Sequence, residues 1–401
     1  MKIAIIGGGA AGFFAALSAK KSHPKAEVIV FEKSDKLLSK VRVSGGGRCN
    51  VTHACFKASE LARFYPRGSK QIKKAFGIFN SNHTVAWFKE RGVELKKEAD
   101  NRMFPITDKS ITIINCFLDE AHKLGVIIKK ETKIEGIEPL KDQINLKIGG
   151  FNYPFDKVIV ASGGSPKLTG LEWLKELGHD IESPLPSLFT FNIPDEEIRT
   201  YQGLSVKNAT IRVPGTKLVH DGPLLVTHWG MSGPAILKTS AWGARILAEK
   251  KYEFEILVNW IGNSNEDETR VLLSRHLYNY GKKKVGNLTP FEIPARLWKY
   301  ILDKSEIEHE KIAGDLGKKD KNKILNTLLN DDYKVKGKTT FKEEFVTCGG
   351  VSLKDVDMKT MQSKIVPNLY FAGEVLDIDG VTGGFNFQAA WTTGFIAGQL
   401  G

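Results

Sequence analysis

The chain has 401 residues, 41% of them hydrophobic, with 58 lysines and arginines against 46 aspartates and glutamates. That length can bury more than one core and suggests two or three domains. No apolar run approaches the ~18–20 residues of a membrane span, and the formal net charge of +12 is mostly lysine scattered over the chain.

The densest basic clusters, Lys282-Lys283-Lys284 and Lys318-Lys319 with Lys321 and Lys323, lack interleaved aromatics. They read as solvated surface rather than a nucleic-acid face. Cys49, Cys55, Cys116 and Cys348 form no C-x-x-C pair, so no disulfide framework, thioredoxin-like centre or metal site is expected. The apolar start is too short for a signal peptide, and the expected location is the cytoplasm.

Met1 to Ile6 reads as a strand. Gly7-Gly8-Gly9-Ala10-Ala11-Gly12 follows, then a helix through Phe13, Ala16, Leu17 and Ala19, then a strand from Val28 to Phe31 that ends on Glu32. Gly7, Gly9 and Gly12 stand at G-x-G-x-x-G spacing. Gly7 allows the tight turn, Gly9 lets backbone approach a pyrophosphate, and Gly12 lets helix and strand pack closely. The helix start at Ala10 and Ala11 offers N–H groups and a positive dipole end to phosphates. Glu32 lies 20 residues past Gly12, placed to accept from ribose hydroxyls, with Lys33 beside it. This unit predicts a dinucleotide site, with FAD and NAD both open at this point.

After a polar stretch comes Ser44-Gly45-Gly46-Gly47-Arg48-Cys49-Asn50. Glycine lets backbone run against a ligand, Arg48 supplies a fixed charge, and Ser44 and Asn50 supply adaptable hydrogen bonds. The spacing predicts helices over 70–79, 82–91 and 110–124, separated by Gly92 and Pro105. A strand is expected at 126–129, with antiparallel strands at 133–139 and 144–148. The backbone near Thr132 to Ile134 is placed to read an adenine. Residues 155–161 read as one buried strand running into Ser162-Gly163-Gly164, whose small residues, Ala161 and Gly163 among them, keep the strand end clear.

From 188 to 262 the runs are short and alternating, which suggests an antiparallel β subdomain. It contains Thr227-His228-Trp229-Gly230, followed by a helix through Ile236 and Ile246. Residues 263–334 read as a helical subdomain. The first domain is expected to comprise 1–187 and 335–401. In the returning stretch, strand 368–372 leads to Gly373-Glu374, an acidic loop with Asp377 and Asp379, and Gly383-Gly384-Phe385-Asn386 at the start of a last helix. An acid after an apolar strand suits a ribityl chain, and a helix N-terminus suits the negative charge of a reduced flavin. A nicotinamide enzyme has no use for this return, so the combination selects FAD.

Ser44–Asn50, Phe104-Pro105, Ala161–Gly164, Thr227–Pro234, Cys348–Val351 and Phe371–Asn386, with the N-terminal turn, resemble the bacterial BaiN-like flavoproteins, also called the aminoacetone-oxidase family. The matches run from end to end. The resemblance implies an α/β fold: a glutathione-reductase-like, Rossmann-type FAD domain with an inserted antiparallel β subdomain and a small helical subdomain. It implies that Gly7 to Gly12, Glu32, Ser44 to Asn50, Glu374 and Gly384 to Asn386 hold FAD.

No second G-x-G-x-x-G follows a strand, so a separate NAD(P)H domain is not expected. Electrons come either from a small organic substrate or from NAD(P)H docking transiently, in which case an enone is the acceptor. A flavin-loaded RNA-binding protein is the third reading, disfavoured by the scattered charge. The catalytic candidates are Arg48, as a contact to cofactor or substrate carboxylate, His228, as an acid or base, and Cys49, as a redox group. Packing is the competing reading for Cys49, and Trp391 reads as core.

Overall fold

The computed structural model describes residues 1–194, 197–262, 264–339 and 346–401. The chain forms two compact units, one of residues 1–187 with 341–401 and one of residues 188–340.

The first unit is built on a seven-stranded sheet. Ile127–Lys129, Glu27–Phe31, Lys2–Ile6, Lys157–Val160 and Leu369–Phe371 run parallel in that spatial order, and two short antiparallel strands finish the edge. Ile3, Ala4, Ile5, Val158, Ile159 and Val160 are fully buried. A strand buried on both faces reads as a continuous apolar run, which is what these segments are.

The helix Ala10–Ser22 follows the first strand and is buried from Ala11 to Ala19. It lies against the last helix, Phe385–Gln399, through small residues. A Cβ on Gly394 would stand 2.7 Å from Ala11 O, and one on Gly398 would stand 2.5 Å from Ala15 O. An aromatic cluster closes the other side: Phe14 meets Phe79, Trp87, Phe117 and Trp391. Trp391 is fully buried and donates to Val51 O at 2.9 Å, so it belongs to the core.

Two sequence expectations shift here. Residues 155–161 are not one strand. Phe151–Phe155 closes a three-stranded antiparallel sheet with Gly136–Pro139 and Ile144–Ile148, and the parallel strand begins at Lys157. The turn is Asp156, whose carboxylate accepts from Lys2 N at 2.6 Å. The stretch near the triple glycine holds a short helical segment, Ser39–Gly47, broken at Ser44.

The second unit holds a seven-stranded sheet whose described pairings are all antiparallel. The helices Pro234–Glu249, Glu266–Asn279, Ala295–Lys304 and Lys318–Asn330 complete it. One buried core joins the residues expected as a β subdomain with those expected as a helical one: Phe191, Ile211 and Val258 pack with Leu297, Trp298, Ile301 and Leu328. Asp331–Lys336 is a strand paired with Glu253–Asn259, so the return to the first unit comes later than residue 335. Alternation of buried and exposed residues from Asp331 is the signal that marks it. Among the described residues no helix is long and apolar enough to cross a membrane.

Candidate active site

The N-terminal glycines divide by what surrounds them. Gly7 has φ +115°, and a Cβ there would stand 2.3 Å from Ala161 O. A Cβ on Gly12 would stand 1.9 Å from Gly7 O. Both are glycine because the protein packs against itself. Gly9 differs: its backbone is extended, and a Cβ would meet nothing of the protein within 4 Å. Its openness faces outward from the helix start, where Ala10 and Ala11 contribute first-turn N–H groups that have no intrahelical acceptor.

Glu32 holds this turn from the side. One carboxylate oxygen accepts from Gly8 N at 2.9 Å, and the other accepts from Ser34 N and Ser34 Oγ at 2.9 Å each. The carboxylate therefore fixes the glycine turn as well as standing at the strand end. Lys33 is exposed, and Ile134 is half-buried in the extended stretch after Thr132, whose N–H donates to Glu32 O at 2.8 Å.

In the triple-glycine segment Gly45, Gly46 and Gly47 all have positive φ (58°, 68° and 83°). Gly45 is wedged against the Phe104 ring, while Cβ atoms on Gly46 and Gly47 would meet nothing within 4 Å. Ser44 Oγ donates to Val41 O at 3.0 Å. Arg48 donates to Glu98 at 2.7 Å and Asp108 at 3.4 Å, and its guanidinium lies 4.0 Å from the centre of the Phe104 ring. Cys49 is fully buried at φ +63°. Burial pushes its thiol up to about 12, with the neighbouring Ser44 side chain pulling the other way. A thiol at that value stays protonated near neutral pH and is a poor nucleophile.

Asn50 carries the segment to the last helix. Its side-chain amide donates to Thr52 O and accepts from Gly384 N, each at 3.0 Å. Gly384 has φ +92°, and a Cβ there would stand 2.7 Å from Thr52 O. Phe385 is buried and stacks on Phe64 (4.3 Å) and His53 (4.6 Å). Asn386 brackets Gly380, accepting from its N and donating to its O at 2.8 Å each. The Gly373 Cβ position lies 2.6 Å from Ala11 Cβ, which sets the returning strand end beside the first turn. Glu374 accepts from Thr347 N at 2.9 Å and from Lys40 at 2.6 Å. Gly163 has positive φ and open surroundings.

The acids of the loop after Glu374, to which the sequence assigned no role, are turned onto the protein itself. Asp379 is fully buried and accepts from Arg67 Nε at 2.6 Å and from Ser187. Asp377 accepts from Gly349 N at 2.9 Å. Both acids tie chain segments together. His228 lies exposed in the second unit, at the turn between Val219–Thr227 and Gly230–Ser232.

Sequence reasoning missed His53, Arg67 and Gln388. His53 donates from Nδ1 to Gly383 O at 3.1 Å. Gln388 Oε1 accepts from Thr52 (2.6 Å) and Thr84 (2.9 Å). The available signal for His53 was its place three residues after Asn50, on the strand that leaves the glycine segment.

These features fit FAD. The backbone is open at Gly9, at the start of the first helix, and open again at Gly46, Gly47 and Gly163. A helix N-terminus is held at the triple glycine by Asn50. Among the described residues no group of His, Cys, Asp and Glu is arranged to hold a metal ion.

The whole chain, residues 1–400, matches the model of the HI0933-like protein Rossmann domain. It is 25% identical to a 3-dehydro-bile acid delta(4,6)-reductase of Clostridium scindens, covering 99% of this chain and 98% of that protein. It is also 25% identical to a ribosomal RNA dihydrouridine synthase of Escherichia coli, over 98% and 96%. Among solved structures, the 3-ketosteroid delta1-dehydrogenase of Sterolibacterium denitrificans shares the fold, with a TM-score of 0.51 at 12% identity over 99% of this chain and 98% of that one. The chain belongs to the HI0933-like Rossmann-domain family, a family of FAD-dependent oxidoreductases.

Proposed function

We propose that the chain is an FAD-dependent reductase that saturates a carbon–carbon double bond conjugated to a carbonyl in a small organic substrate. In this reading NAD(P)H docks transiently as electron donor, and the FAD domain is of the glutathione-reductase-like kind. The observation that carries it is the Asn50–Gly384 junction, which holds a helix N-terminus against the triple-glycine segment within the first unit. When bound, FAD supplies the two-electron carrier that joins donor and acceptor.

The chain's own residues supply orientation and electrostatics. Gly9 and the N–H groups of Ala10 and Ala11 take the pyrophosphate. Glu32 faces the ribose and holds the turn. Asn50 and Gly384 set the positive helix end where negative charge develops on reduction. Arg48 braces the glycine segment through Glu98 and Phe104, and Cys49 packs beneath it.

The reduction direction is supported by two relatives whose names share one chemistry. A 3-oxo group conjugated with delta-4,6 double bonds and the uracil ring of uridine are both alkenes activated by a carbonyl. The all-antiparallel sheet of the second unit supports transient docking, because a resident nicotinamide domain needs a parallel βαβ unit. Oxidation of a small organic substrate that itself supplies the electrons is therefore the weaker enzyme reading.

A second reading, a uracil ring within RNA as acceptor, has its own observation. The Lys282–Lys284 run, read from sequence as solvated surface, stands in the structure beside two tyrosines that precede it: Tyr278 is 85% exposed, and Lys283 lies 4.8 Å over the Tyr280 ring. Exposed rings among cations suit stacked bases.

One experiment separates these readings. Purified protein is mixed anaerobically with NADH or NADPH while the flavin band near ~450 nm is followed. Bleaching is expected, with recovery on adding an enone. Recovery only with RNA selects the second reading, and no bleaching with either nicotinamide overturns the reductase assignment.

A further inference from the structure

A cavity of about 550 Å³ opens beside the Gly383–Phe385 turn, walled by His53, Cys55, Phe56, Arg63 and Phe64 together with the Lys57–Glu60 ion pair, whose lysine offsets the one carboxylate of the lining. All of these residues lie in the first unit. His53 is the shared wall. The Gly383 carbonyl can only accept, so Nδ1 carries the proton, and the ring stacks on Phe385. Whatever occupies the cavity therefore lies one ring away from the turn at the last helix.

The lining has a definite character. Phe64 presents a half-buried ring stacked flat on Phe385, and Phe56 is 48% exposed. That apolar surface persists beside a rim of charge. Glu60 pairs with Lys57 at 3.2 Å, and Arg102 pairs with Asp100 at 2.6 Å. Arg63 is exposed and makes no ion pair among the described residues, so it is the cation left for a ligand. A guanidinium binds a carboxylate through two parallel N–H donors, while flat rings take a flat conjugated body.

We propose that this cavity is a binding site for a small, flat carboxylate with a conjugated apolar body, held by Arg63 at its charged end and by Phe56 and Phe64 along its length. The proposal uses the FAD reading only to say that the cavity borders the flavin turn. It narrows the substrate class of that reading to acids.

Cys55 gives a readout that needs no turnover. It is a free, half-buried thiol in the wall, and burial raises it above its ordinary value, so it alkylates slowly. Cys116, also half-buried but elsewhere, serves as the internal control.

The FAD-loaded protein is titrated with cinnamate and, separately, with uncharged cinnamyl alcohol. Binding is followed by calorimetry, and iodoacetamide labelling of each cysteine is followed by peptide mass spectrometry. Cinnamate is expected to bind, to slow labelling of Cys55 and to leave Cys116 unchanged. Arg63→Gln is expected to weaken cinnamate about tenfold or more, the cost of one charged hydrogen-bonding group, and to leave cinnamyl alcohol unaffected. Cinnamate that fails to bind at millimolar concentration, binds without protecting Cys55, or is indifferent to Arg63→Gln overturns the proposal. Protein that cannot be loaded with FAD defeats the FAD reading instead, and absorbance reports that before any titration.

Discussion

At the scale of single residues, the site is held together by polar groups that serve the backbone. Glu32 is bonded to Gly8 N and Ser34 N, so its removal frees two N–H donors and, on the proposed function, also deletes the ribose contact. Glu32→Ala is expected to cost about 1–3 kcal/mol of stability and to lower FAD retention, and Glu32→Gln should restore part of the first. Urea melts and the flavin absorbance of purified protein check both, and a variant as stable and as yellow as the parent contradicts the assignment.

Arg67 and Asp379 are a sharper case, because a fully buried carboxylate is paired with a largely buried guanidinium, with buried Ser187 as third member. Burial holds the Asp379 carboxyl above its ordinary value despite the pull of Arg67. Arg67→Met is expected to cost about 3–5 kcal/mol, and the double variant Arg67→Met/Asp379→Leu to recover much of it. Denaturant midpoints at unchanged slope decide this. A double variant no more stable than the single would mean that the pair does more than satisfy itself. The sequence showed Asp379 only as an acid in a loop. Its partner is 312 residues away in the chain, and no local pattern reports such a contact.

At the scale of elements, local patterns reported most of what is observed. The first strand, the glycine turn and the first helix were legible because period and turn chemistry agree over a short stretch. The last helix begins at Phe385, within the Gly383–Asn386 stretch that the sequence marks as its start. What was illegible depended on partners. The break at Asp156 is set by a bond to Lys2, and the strand at Asp331–Lys336 by pairing with Glu253–Asn259. The buried cluster shared by the sheet and helices of the second unit could not be read from their separate compositions. The glycines make a testable set, because spacing alone treats them alike and surroundings do not. Gly9→Ala is expected to leave the stability of FAD-free protein within about 0.5 kcal/mol while weakening FAD binding. Gly12→Ala and Gly394→Ala drive a methyl into the backbone of Gly7 and Ala11. Each is expected to cost about 1–3 kcal/mol by overpacking, with or without FAD. Thermal melts with and without added FAD separate the classes, and equal losses in all three would show that Gly9 too is a packing residue.

At the scale of the whole molecule, the titrating groups set a direction for stability against pH. Burial lowers His53, His179, His220 and His276 below the ordinary value. His179 shows why. Its Nδ1 donates to Leu174 O at 3.2 Å, which leaves Nε2 to accept from the Ser363 hydroxyl at 2.7 Å, so the neutral ring is fully satisfied and a second proton has no acceptor of its own. A histidine held neutral in the folded state takes its proton more readily when unfolded. Its stabilising share is complete above the unfolded value near ~6.5 and is lost as pH falls through the lower folded value. Asp331 and Asp379 are raised by burial and run the other way, because their folded forms bind protons more readily. The four histidines are therefore expected to contribute a fall in unfolding free energy as pH drops below about 6.5, their unfolded value. Urea melts across that window check the sign. His179→Gln, which removes one titrating ring, should flatten the slope, and an unchanged slope in that variant would assign the acid sensitivity to other groups.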